Sequence, residues 1–262
     1  MNERPIGVFD SGVGGTSIWK EIRKLLPNEN TIYLADSNNA PYGEKSKETI
    51  LQFSIKNTEL LLEKGSKLIV VACNTATTNA IDQLRKTYDL PFIGIEPAIK
   101  PAALRSKSKT VGVLATKGTL SSSLFHNTAQ IHADGIQIIE REGTGLVPLI
   151  ESGETESEEV QHLLKVYLEP MLDQNIDHLV LGCTHYPYLI PVLRKILPEN
   201  VQIIDSGEAV ARQTQAVLEK AGLRTTSKIS GTHQFYSNSE ISALKSLLGE
   251  VEADFEVSYL AF

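Results

Sequence analysis

Apolar runs of four or five residues alternate with longer amphipathic stretches along nearly the whole chain. Short apolar runs bounded by polar or glycine-rich segments read as buried strands, and the stretches between them read as helices. Ile6-Gly7-Val8-Phe9 predicts the first strand. The following segment places Ile18, Ile22, Leu25 and Leu26 on one helical face and is stopped by Pro27. A strand over 31–35, a polar loop over 36–45 and a helix over 46–64 come next, with Gly65 placed to cap that helix. Leu68-Ile69-Val70-Val71-Ala72 is the third strand, followed by a helix over 77–88 and a strand over 92–95.

A second series with the same rhythm starts near Thr110. It predicts a strand over 111–115, a helix over 120–131 and a strand over 136–140. Thr155-Glu156-Ser157-Glu158 reads as a capping box, and Val160, Leu163, Leu164, Tyr167, Leu168 and Met171 form a helical stripe behind it. Leu179-Val180-Leu181-Gly182, a helix over 192–197 and a strand over 201–204 complete the series. Cys73 and Cys183, Gly7-Val8 and Gly112-Val113, and Glu96 and Asp205 all recur at an offset of 105 to 110 positions, which points to a duplicated unit. A helix over 209–218 and short strands over 233–236 and 255–259 follow.

The alternation predicts an α/β fold of two similar domains, each a mostly parallel sheet flanked by helices, with the active site in the cleft between them. The tail is expected to return to the first unit. That makes the domains 1–97 plus 209–262, and 98–208.

Composition narrows the partners more than the fold. The chain has 262 residues, 41% hydrophobic and 22% charged, with a formal net charge of −7. It carries no basic run that could track phosphates, so nucleic acid and anionic membrane are not expected partners. The apolar runs are too short to span a bilayer, and the first residues lack the apolar core of a signal peptide. Two cysteines with no secretory signal fit a reducing cytoplasm better than a disulfide scaffold.

Those two cysteines carry the candidate chemistry. Each ends an apolar run and is followed by polar groups: Cys73-Asn74-Thr75 and Cys183-Thr184-His185. A strand-end thiol before a helix receives help from the unsatisfied N–H groups at the helix start. Asp10 and His185 could move protons onto and off the sulfurs. Two thiols facing one carbon acid from opposite sides would invert a stereocentre, one removing the proton and the other returning it. Such a scheme needs no redox cofactor. A metal held by Cys73, Cys183 and His185 would lack a CxxC pair or an obvious fourth ligand, so none is expected.

Asp10-Ser11-Gly12-Val13-Gly14-Gly15-Thr16 joins the first strand to the first helix, and its N–H groups could hold a carboxylate or a phosphate. It partly matches a dinucleotide fingerprint, with Asp36 ending the second strand, although Ser17 stands in place of the third glycine. A nicotinamide-dependent dehydrogenase is therefore a rival reading, and a ligand-binding module without turnover is another.

Gly7-Val8-Phe9-Asp10-Ser11-Gly12-Val13-Gly14-Gly15, Pro41-Tyr42-Gly43, Ala72-Cys73-Asn74-Thr75-Ala76 and Gly182-Cys183-Thr184-His185-Tyr186-Pro187 together resemble the bacterial glutamate racemases, over roughly positions 5 to 215. Thr16-Ser17 departs from that pattern, in which Leu-Thr is usual. The resemblance implies cofactor-independent interconversion of L- and D-glutamate, supplying D-glutamate for peptidoglycan, in a cytoplasmic homodimer. A related acidic amino acid such as aspartate is the alternative substrate. By the same resemblance Cys73 takes the α-proton from D-glutamate and Cys183 from L-glutamate, assisted by Asp10 and His185. Asp10, Ser11, Tyr42, Gly43, Asn74, Thr75, Thr184 and His185 would line the substrate site, with Thr116 and Thr119 as further candidates for a carboxylate. Glu151 falls where the family often has an acidic residue near the cleft, or is a solvated charge in an acidic loop.

Overall fold

Every residue of the first strand, β1 (Ile6–Asp10), is buried, as a strand covered on both faces and flanked on both sides must be. The computed structural model describes residues 3–132, 135–249 and 254–262. From β1 the chain continues through α1 (Thr16–Leu25), β2 (Thr31–Ala35), α2 (Lys47–Glu63), β3 (Leu68–Val71), α3 (Asn74–Thr87) and β4 (Phe92–Gly94). The second series begins with α4 (Ile99–Arg105) and β5 (Thr110–Ala115), then α5 (Lys117–Leu120), α6 (Ser123–His132) and β6 (Gln137–Glu142). It ends with α7 (Leu146–Glu151), α8 (Glu158–Leu172), β7 (His178–Gly182), α9 (Ile190–Ile196) and β8 (Gln202–Ile204). α10 (Gly207–Lys220) then packs on α1, and β9 (His233–Ser237), α11 (Ser242–Leu248) and β10 (Phe255–Tyr259) follow.

The strands form two parallel sheets, ordered β10-β9-β2-β1-β3-β4 and β6-β5-β7-β8. The order β2-β1-β3-β4 in the first is repeated as β6-β5-β7-β8 in the second, so the repeated landmarks in the sequence correspond to one repeated topology. In each sheet the chain leaves the central strand to one side and returns on the other. The loops after those two strands diverge and open a crevice at their carboxyl ends. Asp10 ends β1 and Cys73 follows β3 at one crevice, and Thr116 and Cys183 follow β5 and β7 at the other. β9 pairs along β2 and β10 along β9, which extends the first sheet from the tail.

Several elements differ from expectation for local reasons. Leu25 is 37% exposed, and Trp19 is fully buried in its stead, because α1 must also cover β9, where Trp19 meets the rings of His233 and Phe235. The helix expected over 77–88 starts at Asn74, since Cys73 itself is the N-cap. The segment expected as one helix over 120–131 breaks into α5 and α6 around Ser121 and Ser122, and the Ser122 hydroxyl caps the new start at Phe125 N–H (3.2 Å). The capping box also moves. Ser157, not Thr155, is the N-cap of α8, with extended backbone and an Oγ that accepts from Val160 N–H at 3.3 Å. α4, α7 and α11 are seven residues or fewer, too short for periodicity to reveal. Among the described residues no helix is long and apolar enough to cross a membrane.

The shifted cap is open to test by urea unfolding. Ser157→Ala should lower stability by about 1 kcal/mol, while Thr155→Ala should change it by no more than a few tenths. Equal losses from the two would put the helix start back at Thr155.

Candidate active site

Cys73 owes its position to two local facts: it follows the fully buried strand β3 by two residues, and it caps α3. Its backbone is extended (φ −138°, ψ 119°), and its Sγ accepts from Ala76 N–H at 3.5 Å. Cys183 follows β7 in the other sheet, and the chain turns directly after it, with Tyr186 N–H bonded to the Cys183 carbonyl. Both thiols are free and buried. They line one cavity, together with Ser11, Pro41, Tyr42, Gly43, Asn74, Thr75, Thr116, Val147, Thr184 and His185.

Asp10 is the one residue of the expected set that stands behind the cavity wall. It is fully buried, and its Oδ2 accepts from Gly15 N–H at 2.7 Å and from the Thr184 hydroxyl at 3.4 Å. Its Oδ1 accepts from the Ser11 hydroxyl at 3.3 Å, and Cys73 Sγ points at Ser11 Oγ from 3.7 Å. His185 continues the cluster. Its Nδ1 lies 3.8 Å from Cys183 Sγ and 4.0 Å from Asp10 Oδ2. Two groups compete for Nε2: the Glu151 carboxylate at 2.5 Å and Gly14 N–H at 3.2 Å. The carboxylate is closer and charged, so Nε2 carries a proton.

These contacts set the charges. Burial opposes a charge on His185, but hydrogen bonds to Cys183 and Glu151 and the carboxylates of Glu151 and Asp10 outweigh it and hold its pKa well above the usual imidazole value. Burial pushes the Cys73 thiol well up, and the Asp10 charge adds to it, against the hydrogen bond from Ala76 N–H and the one shared with Ser11. Burial also raises the Asp10 carboxyl, with His185 and Gly15 N–H pulling the other way. The cluster thus holds a thiol at Cys73 and an imidazolium beside Cys183.

The glycine loop is already occupied by the protein's own carboxylates. Val13 N–H donates to Glu151 Oε1 at 2.7 Å, and Gly15 N–H donates to Asp10. A Cβ at Gly12 would fall inside the Glu151 carboxylate, and one at Gly14 inside the His185 ring. Close approach of these side chains accounts for the glycines, and the loop offers little to a pyrophosphate. Asp36 is committed as well: it is fully buried and accepts from Tyr42 OH (2.5 Å), Asn39 (2.7 Å) and Asn238 (2.5 Å), with Lys56 at 3.3 Å. The Tyr42 hydroxyl therefore faces away from the cavity, and only the ring lines it.

Glu151 is not a solvated charge. It ends α7, is 15% exposed, and joins His185 and Val13 N–H to the Ser37 hydroxyl at 2.9 Å. At the other end of the cavity the hydroxyls of Thr75, Thr116 and Thr119 touch one another at 2.8 to 3.4 Å. Asn74 is 3% exposed, and its side-chain Nδ2 has no hydrogen-bond partner, a donor aimed at something the cavity would hold. Val147, Pro41 and Thr116 complete the lining. Val147 and Pro41 lay beyond sequence reasoning because neither residue type signals chemistry.

Comparison with known proteins follows the same lines. A family model described as Asp/Glu/hydantoin racemase matches residues 6–214. A glutamate racemase of Ectopseudomonas mendocina is 46% identical over 249 residues, 95% of this chain and 94% of that protein. The crystal structure of Escherichia coli glutamate racemase with L-glutamate and the activator UDP-MurNAc-ala superposes with a TM-score of 0.86, at 36% identity over 98% of each chain. That of the Francisella tularensis glutamate racemase with D-glutamate superposes with a TM-score of 0.84, at 31% identity over 99% of this chain and 98% of that one. With the family model spanning both sheets and relatives aligned over almost their full length, the chain belongs to the Asp/Glu/hydantoin racemase family.

Proposed function

We propose that the protein interconverts L- and D-glutamate by moving one proton between Cys73 and Cys183. The observation that carries this reading is that two thiols, delivered by strands of different sheets, line one small buried cavity. Relatives of matching length that are glutamate racemases, and similar structures holding L- or D-glutamate, favour glutamate over aspartate.

In this reading Cys183, as a thiolate balanced by the His185 imidazolium, removes the α-proton of L-glutamate. Cys73, held as a thiol, delivers a proton to the opposite face. With D-glutamate the roles exchange. Asp10 and His185 set the protonation of the sulfurs, and Glu151 keeps His185 charged and oriented. The carbanion between the two steps needs donors in a water-poor site. Asn74 Nδ2, the Ser11 and Thr184 hydroxyls and the cluster of Thr75, Thr116 and Thr119 supply them, while Tyr42 and Gly43 shape the wall. A thiol is acidic enough to serve as both acid and base, so no redox cofactor is required.

The same reading divides the chain into 1–97 plus 209–262 and 98–208. It is supported by the pairing of β9 along β2 and the packing of α10 on α1. It also makes the protein a cytoplasmic homodimer that feeds D-glutamate to peptidoglycan synthesis, in a compartment that keeps both thiols reduced.

Incubation with either enantiomer in deuterated water should give the other enantiomer with deuterium at the α-carbon. Binding without exchange would leave only a binding module. Cys73→Ala and Cys183→Ala should each lower racemisation by at least ~10³-fold with the fold retained by circular dichroism, and Cys→Ser at either position should not restore it at neutral pH. Near-normal turnover by either alanine variant in both directions would end the two-thiol assignment.

The pH profile tests the role of Glu151. For L-glutamate the alkaline limb of kcat/KM includes loss of the His185 imidazolium, whose pKa is raised by the Glu151 hydrogen bond and charge. Glu151→Gln removes that charge, so the limb should move to lower pH, by about one unit. An unmoved limb would assign Glu151 to packing alone.

A further inference from the structure

A two-thiol racemase finishes each turnover in the wrong protonation state for the next molecule of the same enantiomer. After D-glutamate has become L-glutamate, Cys73 carries the substrate's proton and Cys183 has given its own away. Before another D-glutamate can react, a proton must travel from Cys73 to Cys183. The substrate cannot carry it, and both sulfurs are more than nine-tenths buried.

The structure places a row of neighbouring polar groups between them. Cys73 Sγ donates toward Ser11 Oγ at 3.7 Å, and the Ser11 hydroxyl donates to Asp10 Oδ1 at 3.3 Å. Asp10 Oδ2 lies 4.0 Å from His185 Nδ1, and Nδ1 lies 3.8 Å from Cys183 Sγ. Ser11, Asp10 and His185 are 5%, 0% and 1% exposed; Ser11 and His185 line the cavity and Asp10 joins them behind its wall, so the path is shielded from bulk water. We propose that Ser11, Asp10 and His185 form an internal proton relay that resets the two thiols between turnovers.

The proton balance closes with every relay member restored. His185 gives its Nδ1 proton to the Cys183 thiolate. Ser11 Oγ takes the proton of the Cys73 thiol as its own hydroxyl proton passes to the Asp10 carboxylate, and Asp10 hands that proton on to His185 Nδ1, returning to the carboxylate. The result is Cys73 thiolate and Cys183 thiol. Only S–H, O–H and N–H bonds change, and no oxidant or outside acid takes part. After turnover of L-glutamate the same steps run backward. Ser11 is the decisive member, because its hydroxyl can accept from one side while donating to the other, and because Asp10 and His185 also act on the thiols directly.

This relay rests on the racemase reading, and the two can fail separately. Tracer-perturbation kinetics measure the reset itself. A labelled equilibrium mixture of L- and D-glutamate is exposed to excess unlabelled D-glutamate, and the label is driven from equilibrium only when the reset is slow relative to turnover. In the wild type the substrate concentration at which this appears should not change with the concentration of an imidazole buffer. In Ser11→Ala it should fall at least about tenfold, and added imidazole should raise it again. Ser11→Thr keeps the hydroxyl and should resemble the wild type. A wild-type reset that speeds up with buffer would mean that solvent carries the proton and would overturn the relay, as would an unchanged threshold in Ser11→Ala. The wild-type measurement stands even if Ser11→Ala folds poorly. Absence of any α-proton exchange by the wild type would overturn the racemase reading, and the relay with it.

Discussion

A tetrahedral carbon can be inverted by proton transfer only if base and acid stand on opposite sides of it. No single sheet edge can supply both, because neighbouring parallel strands release their loops in one direction. Two sheets facing each other can. β3 and β7 are the corresponding strands of the two repeats, and each is followed by a cysteine at the carboxyl edge of its sheet. The rest of the architecture brings those two edges together around one small cavity. Each thiol is placed by a strand buried on both faces, so its position is as firm as the core itself.

Bringing two sheet edges together leaves a seam, and its chemistry differs from that of the cores. Ser17 Oγ donates to the Thr184 carbonyl at 2.8 Å, the Thr16 and Tyr188 hydroxyls meet at 2.5 Å, and Asn79 donates to the Gly118 carbonyl at 3.1 Å. Thr75 and Thr116 close the far end, with Gly43 and Gly118 allowing the two sides to approach. Neutral hydrogen bonds of this kind each contribute only about 1 kcal/mol net, because water can replace either partner. Charged and apolar contacts join these: the Glu151 carboxylate accepts from Val13 N–H and the Ser37 hydroxyl, and Val13, Val147 and Ile150 belong to one apolar cluster that runs through both sheets.

The fold was legible because parallel strands buried on both faces leave continuous apolar runs, and the repeat spacing of those runs survives in the chain. The thiols and their polar followers were legible for the same reason, since each terminates such a run. The short helices α4, α7 and α11 were not, and one of them, α7, carries Glu151. In the chain that residue sits among Glu154, Glu156, Glu158 and Glu159, where charge alone marks a solvated stretch. A left-handed turn at Gly145, with φ of +84°, starts α7, and the helix ends with Glu151 against the glycine loop. The N–H groups of that loop were read as a seat for a ligand's anion, whereas they are filled by Asp10 and Glu151. A local motif shows that donors exist but not whose acceptors reach them.

The two halves share a topology but not a chemistry, and the difference falls on the residues beside the sulfurs. Cys73 has a helix start, a hydroxyl and a buried carboxyl around it. Cys183 has an imidazole clamped by a second carboxylate. A strictly symmetric pair would place the same charge beside both thiols, and both would then favour the same protonation state. Inversion needs one acid and one base at a time, so the symmetry has to be broken. An imidazolium on one side and a buried carboxyl on the other do this without moving either strand. The repeated scaffold therefore sets where the sulfurs stand, while the unmatched neighbours give each sulfur a different electrostatic setting.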